Sequence, residues 1–153
     1  MISDVLNSLT DIIATSDEIN EYCQNKYGKE LNIFLGADER DLPEISNAPF
    51  VLLDRSKAKY EERNKMRETE YEIFFFVCIV QENITKEGNR IIYNGISEVE
   101  KLAEKIRKTV TQINYPIEFI ASDIPSLGEN GTLRRYPAYY LFERAQVKIR
   151  EER

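Results

Sequence analysis

Hydrophobic residues at the start of the chain recur every three to four positions, at Ile2, Val5, Leu6, Leu9, Ile12 and Ile13, which is the stripe of an amphipathic helix. Ser16 followed by Asp17 and Glu18 marks a further helix start, an N-cap with acids in the first turn. Ile19, Tyr22, Cys23 and Tyr27 then form a stripe that ends at Gly28. One helix broken near Thr15 and two short helices satisfy this pattern equally. Past Gly28 the period changes. Residues 31–35 read as a strand and 36–49 as a polar, acidic, proline-bounded loop. Residues 50–53 open a second strand that runs on through Asp54, Arg55, Lys57 and Lys59.

Between residues 57 and 68 almost nothing is apolar, so this stretch is expected outside the core. Residues 70–80 follow, apolar on both alternating faces over their second half, as in a central strand covered on both sides. Together they predict a β-hairpin whose tip, residues 56–68, extends past the globular body. A loop of that length is either a plain surface excursion or a functional one. Gly88-Asn89, between Ile84 and Ile91, reads as an ordinary turn.

Residues 95–113 carry the clearest helical stripe, with Ile96, Val99, Leu102, Ala103, Ile106, Val110 and Ile113 on one side. Glu98, Glu100, Lys101, Glu104, Lys105, Arg107 and Lys108 fall mostly off it. Ser97 with Glu100 suggests a capping box, and Glu104 with Lys108 has the favourable i,i+4 order. Asn114-Tyr115-Pro116 stops the helix, 117–120 is a strand, and 122–132 is rich in turn formers. Residues 133–149 alternate, with Leu133, Tyr139, Leu141, Ala145, Val147 and Ile149 on one side. Glu143 interrupts that row, Pro137 suggests an edge or a strand entrance, and 150–153 read as a frayed end. The predicted fold is α+β: an antiparallel or mixed sheet of about five strands, the long helix and the N-terminal helices packed on it, and an extended hairpin.

Composition narrows the chemistry. The chain has 153 residues, 42% hydrophobic and 31% charged, which suits one globular domain over 1–153. No apolar run approaches the roughly 18 residues of a membrane span. The first residues carry acids where a secretory signal needs bases and a continuous apolar stretch, so an intracellular protein is expected. There is no His, which removes the Ser-His-Asp and Cys-His arrangements and the commonest general base. Cys23 and Cys78 stand far apart without a CxxC and read as buried small hydrophobes. Asp38, Glu39 and Asp41 share one loop, where neighbouring acids are ordinarily solvated rather than metal-binding. No glycine pattern matches a nucleotide-binding loop. No catalytic, cofactor or metal site is therefore expected.

Charge is unevenly placed. Residues 1–48 hold ten acids against three bases, while 49–69 hold six bases against four acids, within a net charge of −6. That balance argues against general binding to a phosphate backbone; the asymmetry itself reads either as an ordinary solvated surface or as an acidic surface of one copy that could meet a basic projection of another. Tyr136, Tyr140 and Phe142, beside Arg134, Arg135 and Arg144, suit base stacking, a protein interface or plain packing, and the net charge favours a protein partner over nucleic acid.

The N-terminal amphipathic helix, Pro49-Phe50-Val51-Leu52-Leu53, the charged hairpin leading into 71–80, the long helix 97–113 and the closing strand with Tyr139-Tyr140-Leu141-Phe142 together make a chain that resembles the tail-terminator and tail-completion proteins of long-tailed bacteriophages and prophages. The resemblance implies a small α+β protein without enzymatic activity that forms a ring, usually a hexamer, capping the tail tube and joining it to the head connector. Its partners would be further copies of itself, the tail-tube protein and the head-connector protein. DNA would pass through without specific binding, and no membrane or cofactor would be involved. Such a protein would be found in the host cytoplasm during assembly and then in the virion tail. The segments this assigns to assembly are the hairpin, with Arg55, Lys57, Lys59, Tyr60, Arg63, Lys65 and Arg67, and the acidic loop with Asp38, Glu39 and Asp41. Two other classes compete: an adaptor that offers a sheet edge to a partner strand, and a metal-dependent hydrolase built on Asp and Glu.

Overall fold

Of the two helical alternatives, the chain adopts two short helices. In the computed structural model, which describes residues 2–36, 43–63, 66–123 and 136–152, α1 (Ile2–Ala14) and α2 (Asp17–Tyr27) are separated at Thr15 and Ser16. Ser16 is extended and its hydroxyl oxygen accepts from the Ile19 N–H at 3.3 Å, so the second helix has its own N-cap. Gly28 ends it at φ 71°, a left-handed conformation that glycine adopts without a Cβ penalty, and its N–H donates to the Gln24 carbonyl.

Five strands form the main sheet: β1 (Asn32–Leu35), β2 (Phe50–Arg63), β3 (Met66–Val80), β6 (Ile117–Asp123) and β7 (Ala138–Glu152), in the order β1-β2-β3-β7-β6. β1 runs parallel to β2 and every other pair is antiparallel, so the sheet is mixed. A separate hairpin, β4 (Ile84–Glu87) and β5 (Arg90–Tyr93), turns at Gly88 and precedes α3 (Gly95–Val110).

β3 is the central strand its composition predicts. Ile73, Phe75, Val77 and Ile79 face the three helices, meeting Val5, Leu9 and Ile13 of α1, Ile19 and Cys23 of α2, and Val99, Leu102, Ile106 and Val110 of α3. The alternate residues Phe76 and Cys78 join Ala48, Phe50 and Leu52 in a smaller cluster on the opposite face. There Tyr140 stacks on Phe76 at 5.2 Å between ring centroids and Phe142 on Phe74 at 5.1 Å. These two aromatics therefore do packing work. Tyr136 stands apart from them, edge-on to Tyr93, and Arg134 and Arg135 lie outside the described residues.

Several expectations are corrected. α3 begins at Gly95, two residues before Ser97, so Ser97 lies inside the first turn and donates to the Asn94 carbonyl at 3.2 Å instead of forming a capping box with Glu100. The helix ends at Val110 rather than 113, although Ile113 still packs on the core. Glu98 is buried, not off the stripe: Lys26 pairs with it at 3.1 Å and the Gln81 amide donates to it at 2.7 Å. β7 lies inside the sheet, with Pro137 at its entrance, and it does not fray at 150. It continues to Glu152, paired with the β3 residues from Met66 to Glu68.

Glu143 interrupts the apolar row of β7 without leaving the interior. It is 3% exposed, and the Arg107 guanidinium of α3 donates to both its oxygens at 3.0 and 3.2 Å. Burial raises the Glu143 carboxyl above its ordinary value, opposed by Arg107. A raised folded-state pKa means that folding takes up a proton, so this group favours stability at acid pH and that contribution fades as pH rises past the unfolded value through the folded one. Arg107→Ala strands the carboxylate and is expected to cost on the order of 3 kcal/mol at neutral pH, shrinking as the pH is lowered, by urea unfolding. A deficit independent of pH would contradict this pairing.

Gly95 sets the distance between α3 and β7. A Cβ placed on it overlaps the Cδ2–Cε2 edge of the Tyr139 ring, which is itself buried. Gly95→Ala is expected to cost about 1–3 kcal/mol by overpacking, measured by thermal or urea unfolding; an unchanged midpoint would show that the ring moves aside freely.

Candidate assembly surface

The segment that reads along the chain as an irregular charged loop is a regular ladder. β2 and β3 stay paired out to Arg63 opposite Met66, and β7 accompanies β3 over the same length, so the projection is a three-stranded blade rather than a bare hairpin. A β-bulge between Arg55 and Lys57 exchanges the two faces of β2. Before it, Val51 and Leu53 point at the helices; after it, Ala58 does, opposite buried Tyr71.

This parity decides where each predicted residue points. On the face away from the helices stand the cross-strand rows Lys57–Glu72–Gln146, Lys59–Glu70–Lys148 and Glu61–Glu68–Arg150. Arg144 pairs with Glu72 at 3.5 Å, and Arg150 with Glu68 at 3.1 Å. On the helix side the row Tyr60–Thr69–Ile149 carries the core outward, with Thr69 buried. Beyond it the Arg67 guanidinium lies 4.4 Å from the centroid of the exposed Tyr60 ring. Arg55 is exposed at the bulge, and Arg63 occupies the last described position of β2. Lys65, Asp38, Glu39 and Asp41 lie outside the described residues.

The blade thus brings Arg55, Lys57, Lys59, Tyr60 and Arg67 together on one projection. Its character differs from the one its own segment suggests, because β3 and β7 set acids and further bases between the lysines. Exposed pairs of this kind contribute about 0–1 kcal/mol each, so the ladder is held chiefly by its backbone hydrogen bonds.

A second exposed surface escapes the sequence reading. At the opposite end of the sheet Ile84, Ile91, Tyr93, Ile96 and Tyr136 are all exposed, around an apolar hollow of about 290 Å³ lined by Tyr93, Ile96, Tyr136 and Tyr139. Short isoleucine-bearing strands flanking Gly88-Asn89 were its signal.

Among the described residues no three His, Cys, Asp or Glu side chains are grouped to hold a metal ion, and no helix is long and apolar enough to cross a membrane. No protein-family model matches the chain, and no curated protein matches it.

Both cysteines are fully buried, and burial pushes each thiol up to about 12, with a Tyr140 hydrogen bond partly opposing this at Cys78. Neither is expected to react with a thiol reagent at mildly alkaline pH in the folded protein, and both should react at once in strong denaturant. Labelling of the folded chain at the rate of free cysteine would contradict that burial.

Proposed function

We propose that this chain is a non-enzymatic structural protein of a long-tailed bacteriophage or prophage, one that assembles with copies of itself into a ring, a hexamer as is usual in that class, capping the tail tube and joining it to the head connector. The observation that carries the reading is the three-stranded blade: strands paired by their backbones and carrying exposed charge beyond the helix-covered core. Such an element adds little to the core's stability and offers a large, specifically patterned surface. The α+β order supports the same reading, with N-terminal helices, a charged hairpin, one long helix and a closing strand pair. The sheet also has unlike ends, a charged blade and an apolar hollow, which suits a plug with a different partner on each side. A net charge of −6 suits a ring through which DNA passes without sticking.

Light scattering coupled to size exclusion is expected to find one defined oligomer whose population falls as salt is raised. A monomer at the highest attainable concentration would overturn the ring. Replacing residues 62–67 by Asn-Gly, a turn suited to a two-residue hairpin closed by the Glu61–Glu68 pair, is expected to shift the melting temperature by only a few degrees, as roughly 1 kcal/mol would, while weakening assembly. A variant that fails to fold would make the blade a structural element instead.

A further inference from the structure

The sheet ends in two edges that complement one another. β1 covers β2 only from Phe50 to Leu53, and the Gly36 N–H closes that ladder on the Leu53 carbonyl. From Asp54 to Arg63 no described strand lies on that side of β2. The Pro49 and Leu53 carbonyls face outward to β1. Carried through the bulge by the pairing with β3, the outward-facing backbone groups beyond it belong to Ala58, Tyr60 and Glu62. At the far side β6 is the last strand, and no described strand covers its outer edge.

Rows across the sheet link these edges level for level. One runs Lys57, Glu72, Gln146, Glu118, and the next runs Ala58, Tyr71, Val147, Ile117. Lys57 and Glu118 are exposed, and among the described residues neither takes part in an ion pair. Ala58 and Ile117 are half-buried beside the main core. Each row therefore presents matching groups at its two ends, a base and an acid on one face and two apolar side chains on the other. Direction agrees as well. β2 and β7 run one way and β3 and β6 the other, so a rotation axis along the strands sets β6 of one copy antiparallel to β2 of the next.

We propose that the outer edge of β2 at Lys57 and Ala58 receives the Ile117–Phe119 end of β6 of a second copy, with Glu118 of that copy level with Lys57 and Ile117 level with Ala58, so that the sheet continues from subunit to subunit below the levels of Leu52 and Leu53 that β1 occupies. This rests on the ring reading and supplies the contact between two different surfaces that a closed ring needs. It also gives a long strand edge a specific occupant, in place of an open template for uncontrolled pairing. The Lys57–Glu118 pair fixes register and excludes wrong partners.

A charge exchange tests it. Lys57→Glu and Glu118→Lys are each expected to weaken self-association about tenfold or more by analytical ultracentrifugation, because each sets like charges opposite one another. An equimolar mixture of the two variants, or the double variant, is expected to restore it. Circular dichroism checks that each folds, and Lys57→Gln with Glu118→Gln replaces any that does not, each then expected to weaken association with a shallower salt dependence. If the wild type assembles and the variants assemble equally well, or if each is weakened and neither the mixture nor the double variant recovers, this edge contact is overturned while the ring stands. If the wild type does not assemble at all, the ring reading itself has failed.

Discussion

The whole molecule depends on one strand, β3, paired on both sides from Cys78 to Met66. It keeps β2 and β7 in register from Cys78, buried in the smaller cluster, to Met66 at the blade tip. In the core that register is fixed by burial: a one-residue slip would turn Ile73, Phe75, Val77 and Ile79 away from the helices. Because the ladder does not stop where the core stops, the blade inherits a register its own exposed side chains are too weakly coupled to set. The bulge after Arg55 is the one place where β2 departs from it, and that departure turns Ala58 inward and Lys57 and Lys59 to the opposite face.

Burial was legible in the sequence, and pairing was not. The stripes of α1 and α3, the Ser16 and Gly28 boundaries and the two-faced apolar run of β3 all leave a periodic mark. The outer blade leaves none, since backbone hydrogen bonds hold it and polar side chains sit on both faces. Residues 150–152 therefore read as a frayed end although they pair with Met66 to Glu68. Glu98 and Glu143 misled for a related reason. Each is an acid whose burial is made tolerable by a partner distant in sequence, Lys26 with Gln81 in one case and Arg107 in the other.

The candidate surface divides in the same way. Arg55, Lys57, Lys59, Tyr60 and Arg67 announce themselves as a charged segment with no apolar row. Glu118 does not, because its place opposite Lys57 exists only through two intervening strands. The uneven charge along the chain likewise changes meaning on folding: the basic stretch becomes a mixed ladder. What distinguishes it is then less its net sign than the position of each charge at an edge, and in the proposed ring it is those positions that select the neighbouring copy.

Amide-resolved hydrogen exchange at low and high protein concentration tests the claim that the β2 edge is a contact between copies. The amides of Ala58, Tyr60 and Glu62 face outward, whereas those of Lys59 and Glu61 face β3. In the proposed register β6 begins at Ile117, opposite Ala58, and runs from there toward the bulge, so the account predicts that the Ala58 amide exchanges more slowly in the concentrated sample while Lys59, Glu61 and the outward amides of Tyr60 and Glu62, which lie past the start of β6, keep their rates. Equal exchange of Ala58 at both concentrations, in a sample that has assembled, would contradict it.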